Sequence, residues 1–222
     1  MNAIAQYFHA PETSESLPIE IPGVNRDELP KLFTSLGFTR GAEIGVWTGD
    51  YSRRLLDANP DLHLYAVDPW LIYRDYRDNN QQSRIEEKYQ EALAGFAPYG
   101  DRVTVIRKPS ADAAEDIPYA SLDFVYIDGN HAYEYVAMDL ALWGRRVRPG
   151  GIVSGHDYYH FKQPAWCHVV EAVHGYTTAM RVNPWYVLGT RREARNSVLQ
   201  HRYRSFCWVN PEFPRSRNDR MK

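Results

Sequence analysis

Cysteine is scarce: Cys167 and Cys207 are the only two in 222 residues, and they stand in no metal-ligand or redox spacing. A disulfide scaffold and a cysteine-built zinc site are thereby excluded, and both thiols are expected to be small buried hydrophobes in a reducing compartment. A long apolar run is also missing. Nothing approaches the roughly 20 residues of a membrane-spanning helix, so no such span is expected. The opening MNAIAQYFHAPETSES has no basic segment followed by an apolar one, so no secretory leader is expected either. An excess of one charge sign is absent as well: 26 Lys and Arg face 28 Asp and Glu, which leaves no whole-molecule field to favour nucleic acid or an anionic membrane. Repeats and low-complexity tracts do not occur. What is present, 44% hydrophobic and 14% aromatic residues, is ample for the core of a single domain. The expectation is a soluble, cytoplasmic protein.

Apolar runs and turns alternate along the chain. A polar leader punctuated by Pro11, Pro18 and Pro22 precedes an amphipathic helix at 26–36. Then come a strand at Arg40–Val46, a helix at Tyr51–Ala58 stopped by Asn59-Pro60, and a strand at His63–Val67 ending on Asp68. A helix at 82–96 closed by Gly95 leads to a strand at Val103–Ile106, a short helix near Ala111–Glu115, and a strand in LDFVYIDG. A helix at 132–146, the turn Pro149-Gly150-Gly151, and a strand IVSG ending at His156-Asp157 follow. Such alternation predicts an α/β fold: a Rossmann-like, doubly wound, mainly parallel sheet between helices. After a helix at 165–175, PWYVLG and SFCWVN read as two strands with no long helix between them, so the last strand is expected to run antiparallel at the sheet end. The expected organisation is an N-terminal helical leader over 1–39, the main domain over 40–210 and a basic tail over 211–222.

Ligands of open α/β sheets bind beyond the carboxyl ends of the strands, and the chemistry-bearing residues fall there. Glu43, Gly45, Trp47, Gly49 and Ser52 lie where the first strand passes through glycines into a helix, a place for backbone N–H groups to approach a ligand. G-x-G-x-x-G, the dinucleotide fingerprint, is absent, which argues against a nicotinamide oxidoreductase. E-x-G-x-x-x-G followed by Asp68 at the end of the second strand instead resembles class I S-adenosylmethionine-dependent methyltransferases, over roughly residues 40–160. The resemblance implies that Glu43, Gly45 and Gly49 line the amino-acid part of the cofactor and that Ser110 and Ala111 lie beside its adenine. A carboxylate at Asp68 can accept both ribose hydroxyls. Trp70 either covers the ribose and adenine or is a structural tryptophan.

Asp128 and Asp157 close what read as adjacent strands, in Ile127-Asp128-Gly129-Asn130-His131 and Gly155-His156-Asp157. Two carboxylates brought together need a cation or a proton between them, so a shared Mg²⁺ or Mn²⁺ is expected, with His156 either a third ligand or a packing residue. The pattern is similar to metal-dependent sugar O-methyltransferases of macrolide biosynthesis and to cephalosporin-hydroxylase-like proteins. That likeness implies metal ligation by Asp128 and Asp157 and a general-base role for His131, whose alternative is a helix-start residue bonded to backbone. His156 departs from it, since the sugar enzymes carry an acid there. The implied function is O-methylation of a small-molecule hydroxyl, a sugar among the candidates. The alternatives are a metal-independent methyltransferase using His131 alone and a non-catalytic nucleic-acid-binding module.

Two further segments are chemically distinctive. Tyr158, Tyr159, His160, Phe161 and Trp166 form an aromatic loop that suits an acceptor pocket, a lid or an oligomer contact, and the aromatic leader and tail leave room for a homodimer. Beyond Thr190, nine basic residues (Arg191, Arg192, Arg195, Arg202, Arg204, Arg215, Arg217, Arg220 and Lys222) outnumber the acids Glu193, Glu212 and Asp219. Tyr203, Phe206 and Trp208 are interleaved among them. The segment reads as a solvated face or, as the alternative, a nucleic-acid surface.

Overall fold

The computed structural model describes residues 2–72, 81–160, 167–196 and 203–212. Eight strands form one sheet: β1 (Ile19–Ile21), β2 (Arg40–Ile44), β3 (His63–Val67), β4 (Val103–Ile106), β5 (Leu122–Ile127), β6 (Val147–Tyr158), β7 (Tyr186–Leu188) and β8 (Arg204–Val209). Their order across the sheet is β1-β7-β8-β6-β5-β2-β3-β4. All neighbours run parallel except β8, which is antiparallel to both β6 and β7. The mainly parallel α/β sheet with an antiparallel last strand is therefore what the alternation predicted. The position of that strand differs from expectation: β8 lies between β6 and β7 rather than at the sheet end. Its side chains explain why, since Phe206, Cys207 and Trp208 are fully buried, and an interior strand gives such a run partners on both edges and cover on both faces.

Helices cover both faces. Among them α1 (Ala3–Phe8), α2 (Leu29–Ser35) and α3 (Asp50–Ala58) close one apolar layer, in which Leu32, Phe33 and Leu55 pack on Phe124 and Tyr126 of β5. The opposite layer centres on α6 (Tyr133–Gly144) and α7 (Val169–Ala179), with Leu140, Trp143 and Val173 against Val125, Val153 and Trp208. Between them α4 (Gln82–Phe96) and α5 (Ser110–Glu115) carry the crossovers on either side of β4. The leader read as helical also contributes β1, whose Ile19 and Ile21 are buried where it pairs with β7. Pro149-Gly150-Gly151, expected as a turn, lies inside β6, where a register shift in the pairing with β5 absorbs it. A Cβ on Gly151 would come within 2.3 Å of the Asp123 carbonyl oxygen, so the close strand approach there requires glycine. Gly95 lies within α4 rather than closing it. A short helix, α8 (Arg191–Asn196), follows β7. Both cysteines are buried and unpaired, as their spacing implied.

The sheet register sets out the site. Ile44 pairs with Val67 and with Ile127, and Ile127 pairs with Gly155. The residues that follow, Gly45, Asp68, Asp128 and His156, therefore stand in one row at the carboxyl edge.

Candidate active site

A cavity of about 410 Å³ opens at this edge. Six of the nine residues expected to hold a cofactor line it: Gly45, Trp47, Asp68, Trp70, Ser110 and Ala111. Gly45 has φ +89°, and a Cβ there would lie 2.2 Å from the Asp128 carbonyl oxygen, so the chain crosses between two strand ends only because that position has no side chain. Glu43, Gly49 and Ser52 are not among the lining residues. The Ser52 hydroxyl donates to the Glu43 carboxylate, and both residues are buried beneath the loop. Burial raises the Glu43 pKa to about 8 despite that bond. These three residues support the loop that forms the cavity wall.

Asp68 organises that loop. Its Oδ2 accepts the backbone N–H groups of Val46 and Trp47, both at 3.0 Å, and its Oδ1 accepts that of Trp70 at 2.8 Å. Burial nevertheless shifts its pKa upward against those bonds. A carboxylate has about four acceptor sites, so three are engaged and one remains for a ligand. The Trp70 indole donates to the Trp47 carbonyl at 2.9 Å and its ring packs on Tyr89. Trp70 is thus a structural tryptophan that also forms part of the cavity wall.

The acid on the opposite wall, Asp139, was not identified from sequence. The Ser110 hydroxyl donates to its Oδ1 and accepts the Trp143 indole N–H at 2.8 Å, while burial raises its pKa to about 7. A signal was present in the sequence: Asp139 is a lone acid on the apolar stripe formed by Val136, Leu140 and Trp143. Its ordinary value is near 4, so between about pH 4 and 7 the unfolded chain has lost a proton that the native protein keeps. Native stability therefore falls as pH rises through that window and is level above it. The isosteric Asp139→Asn removes this slope. From pH 4 to pH 8 the variant should gain on the order of 3 kcal/mol relative to the parent, read by urea denaturation at the two pH values. An unchanged difference between the two proteins at both values would refute the assignment.

A carboxylate and imidazole cluster adjoins the cavity. His131 Nε2 lies 2.8 Å from Asp157 Oδ2 and 3.7 Å from Asp128 Oδ1. His156 Nδ1 lies 3.3 Å from Asp157 Oδ1 and 3.9 Å from Asp128 Oδ1. Burial opposes charge on His131, but hydrogen bonding and attraction from the two acids overcome it and hold the imidazole well above its ordinary pKa. Burial likewise disfavours the Asp157 carboxylate, and bonds from His131 and His156 pull its pKa down regardless. Asp157 has φ +56°, unusual for a non-glycine residue in a strand. At the start of α6 the Asn130 side chain accepts the Ala132 N–H. Candidate ligand atoms of Asp128, His131 and Asp157 lie within 4.8 Å of one another. Among the described residues the compact group that could hold a metal ion thus contains His131, with His156 beside it. Sequence reading also missed Arg26, whose guanidinium comes within 3.5 Å of Asp128 Oδ2; it arrives from the leader, and no local pattern links it to the acids.

Beyond the cluster is a second cavity of about 240 Å³, with Arg26, His156 and Arg204 in its wall. A cleft of about 10 Å³ touched by Asn130, His131 and His156 lies between the two cavities. Arg204, expected on a solvated or nucleic-acid face, is buried and paired with Glu20. Phe206 and Trp208 belong to the core rather than to a stacking surface. Arg202, Arg215, Arg217, Arg220, Lys222 and Asp219 lie outside the described residues, as do Phe161 and Trp166 of the aromatic loop. Of that loop's described members, Tyr158 is buried, its hydroxyl 2.7 Å from His174 Nε2.

Residues 42–158, more than half of the chain, match the model of a methyltransferase domain. The chain belongs to the class I methyltransferase family. Solved structures share the fold of this chain at low identity. A Staphylococcus aureus protein described as a caffeoyl-CoA O-methyltransferase superposes with a TM-score of 0.55 at 15% identity, covering 93% of this chain and 88% of the other. A Clostridium thermocellum protein described as an rRNA methylase gives 0.59 at 12%, with 85% and 94% covered. The 1,6-didemethyltoxoflavin-N1-methyltransferase of Burkholderia thailandensis, solved with S-adenosylhomocysteine, gives 0.53 at 14%, with 85% and 80% covered. Two uncharacterised curated relatives match over shorter spans. One from Sinorhizobium fredii is 30% identical over 42% of this chain and 10% of its own length. The other, from Acanthamoeba polyphaga mimivirus, is 26% identical over 54% of this chain and 52% of its own length. The chain thus spans about half or less of the length of these relatives. Among its described residues no helix is long and apolar enough to cross a membrane.

Proposed function

We propose that this methyltransferase transfers a methyl group from S-adenosylmethionine to a hydroxyl of a small molecule, with a divalent metal ion at the cluster. The observation that carries the reading is the placement of Asp128, His131 and Asp157 beside the cavity that Asp68 organises. The donors fit both groups. In the larger cavity Asp68 has an acceptor site left for a ribose hydroxyl, and Ser110, fixed by Asp139 and Trp143, stands at the adenine end. The exposed face of Trp47 and the backbone at Gly45 border the remainder.

Two carboxylates and an imidazole are a donor set for Mg²⁺ or Mn²⁺. Bound there by Asp128 and Asp157, such an ion would supply positive charge that lowers the pKa of an acceptor hydroxyl. S-Adenosylmethionine brings an already electrophilic methyl, so the protein's work is alignment and proton removal. His131 is the proton acceptor at hand: its Nε2 is paired with the two acids, and a cation on Asp128 and Asp157 would take the place of that proton, leaving a neutral imidazole able to receive the proton of the hydroxyl. Arg26 offsets part of the negative charge of Asp128. At about 240 Å³ the second cavity beyond the cluster suits a small acceptor better than a nucleic-acid strand.

Turnover, followed as S-adenosylhomocysteine released with a panel of hydroxylated small molecules, is expected to be lost in EDTA and restored by Mn²⁺ or Mg²⁺. Calorimetric titration with Mn²⁺ should show a site that Asp157→Asn removes. Unchanged turnover in EDTA would leave His131 working without a metal.

A further inference from the structure

We propose that the 240 Å³ cavity is the acceptor pocket and that the acceptor carries an oxyanion, a carboxylate or a phosphate, which Arg26 and Arg204 recognise. This names the substrate class of the site described above and rests on the methyl-transfer reading of the neighbouring cavity. Two orphaned donors carry the inference. The Nε–H groups of Arg26 and Arg204 are both buried and have no hydrogen-bond acceptor among the described residues, and both side chains line this one cavity. A buried donor on a charged group without an acceptor is costly, and both belong to side chains in this one wall, so an anion in the cavity would meet two guanidinium groups.

Arg204 is only 6% exposed. Its NH1 is occupied by Glu20 and the Gly189 carbonyl, which anchors the guanidinium in the cavity wall. Arg26 is positioned by Asp128 and by the Tyr51 ring, 5.2 Å below its guanidinium carbon. One carboxylate, Glu193, shares the lining, but its oxygens are held by the backbone N–H groups of Gly23 and Thr190 and by the Thr190 hydroxyl. It therefore fixes the pocket wall instead of competing for the arginines. Two guanidinium edges favour a charged oxygen acceptor over a neutral hydroxyl, because charge-assisted, fork-shaped pairing is stronger and geometrically selective. His156 stands in the same wall and reaches the cluster. An acceptor anchored on the arginines would thus lie next to the metal and base residues. The volume suits a small molecule, since it is below the usual ~300–1,000 Å³ of drug-sized sites.

The test is calorimetry on the intact protein saturated with S-adenosylhomocysteine, using benzoate and phenyl phosphate as probes against benzamide and benzyl alcohol. At least one anion should bind, and the neutral pair should bind about tenfold more weakly or not at all. The relative strength of benzoate and phenyl phosphate assigns the oxyanion. Arg204→Gln should weaken the anion about tenfold or more. Arg204→Lys, which retains a cation for Glu20, should weaken it in the same direction, with S-adenosylhomocysteine affinity retained in both variants as the check on folding. Equal binding of charged and neutral probes would overturn the proposal. So would no probe binding to a protein that does bind S-adenosylhomocysteine, or anion binding indifferent to both substitutions. If the parent protein fails to bind S-adenosylhomocysteine, the methyl-transfer reading itself falls.

Discussion

Asp68→Ala is expected to weaken S-adenosylhomocysteine binding on the order of a hundredfold, as measured by calorimetry. The loss has two sources. One is the ligand bond at the remaining acceptor site of the carboxylate, a charge-assisted contact in a buried setting. The other is preorganisation: the N–H groups of Val46, Trp47 and Trp70 all end on this side chain, and without it the loop that walls the cavity has no common anchor. The two are separable with the 2′-deoxy and 3′-deoxy analogues of S-adenosylhomocysteine. The parent should discriminate against at least one of them and the variant against neither, whereas a purely structural role would leave the discrimination intact. Mn²⁺ affinity should change little, because Asp68 is not in the Asp128, His131 and Asp157 cluster. Equal loss of both ligands would contradict the separation of the two sites.

His131→Ala is expected to lower turnover by about 10²–10⁴, the usual contribution of a positioned acid or base, while S-adenosylhomocysteine affinity moves by less than about threefold, well under one kcal/mol. The split follows from position. His131 borders the small cleft between the two cavities and is not in the wall of the larger one. Its backbone carbonyl accepts the His168 N–H at 2.8 Å, a bond that alanine keeps, so loss of activity cannot be ascribed to loss of that contact. A fully active variant would end the candidacy of His131 as base. Equal falls in turnover and cofactor affinity would make it a binding residue instead.

The parts of the fold most legible in the sequence were those with the strongest physical constraint. LDFVYI and HLYAV are apolar runs that only strands covered on both faces can bury, and each is followed by an acid at the carboxyl edge, which made Asp68 and Asp128 stand out. The parallel register then carried the prediction into space by placing Gly45, Asp68, Asp128 and His156 in one row. Less was legible where sequence distance or brevity hid the constraint. Three residues, Ile19–Ile21, are too short a run to signal a strand, and they are defined by pairing with β7, more than 160 residues away. Pro149-Gly150-Gly151 has turn chemistry, yet the crowded backbone at Asp123 makes it part of a strand. The basic C-terminal pattern suggested a surface, but the antiparallel insertion of β8 takes Arg204, Phe206 and Trp208 inside. Arg26 and Arg204 meet at one cavity only because the leader and the last strand converge there, and no spacing rule within either segment expresses that.

The central claim is that one ligand joins Asp68 to the His131 cluster across the strand ends, and a crystal structure of the S-adenosylhomocysteine complex tests it most directly. The expected density has a ribose hydroxyl on Asp68, the adenine against Ser110 and the sulfur opening toward Asp128, His131 and Asp157. A ligand seated in another cavity, or one whose sulfur faces away from those three residues, would contradict it.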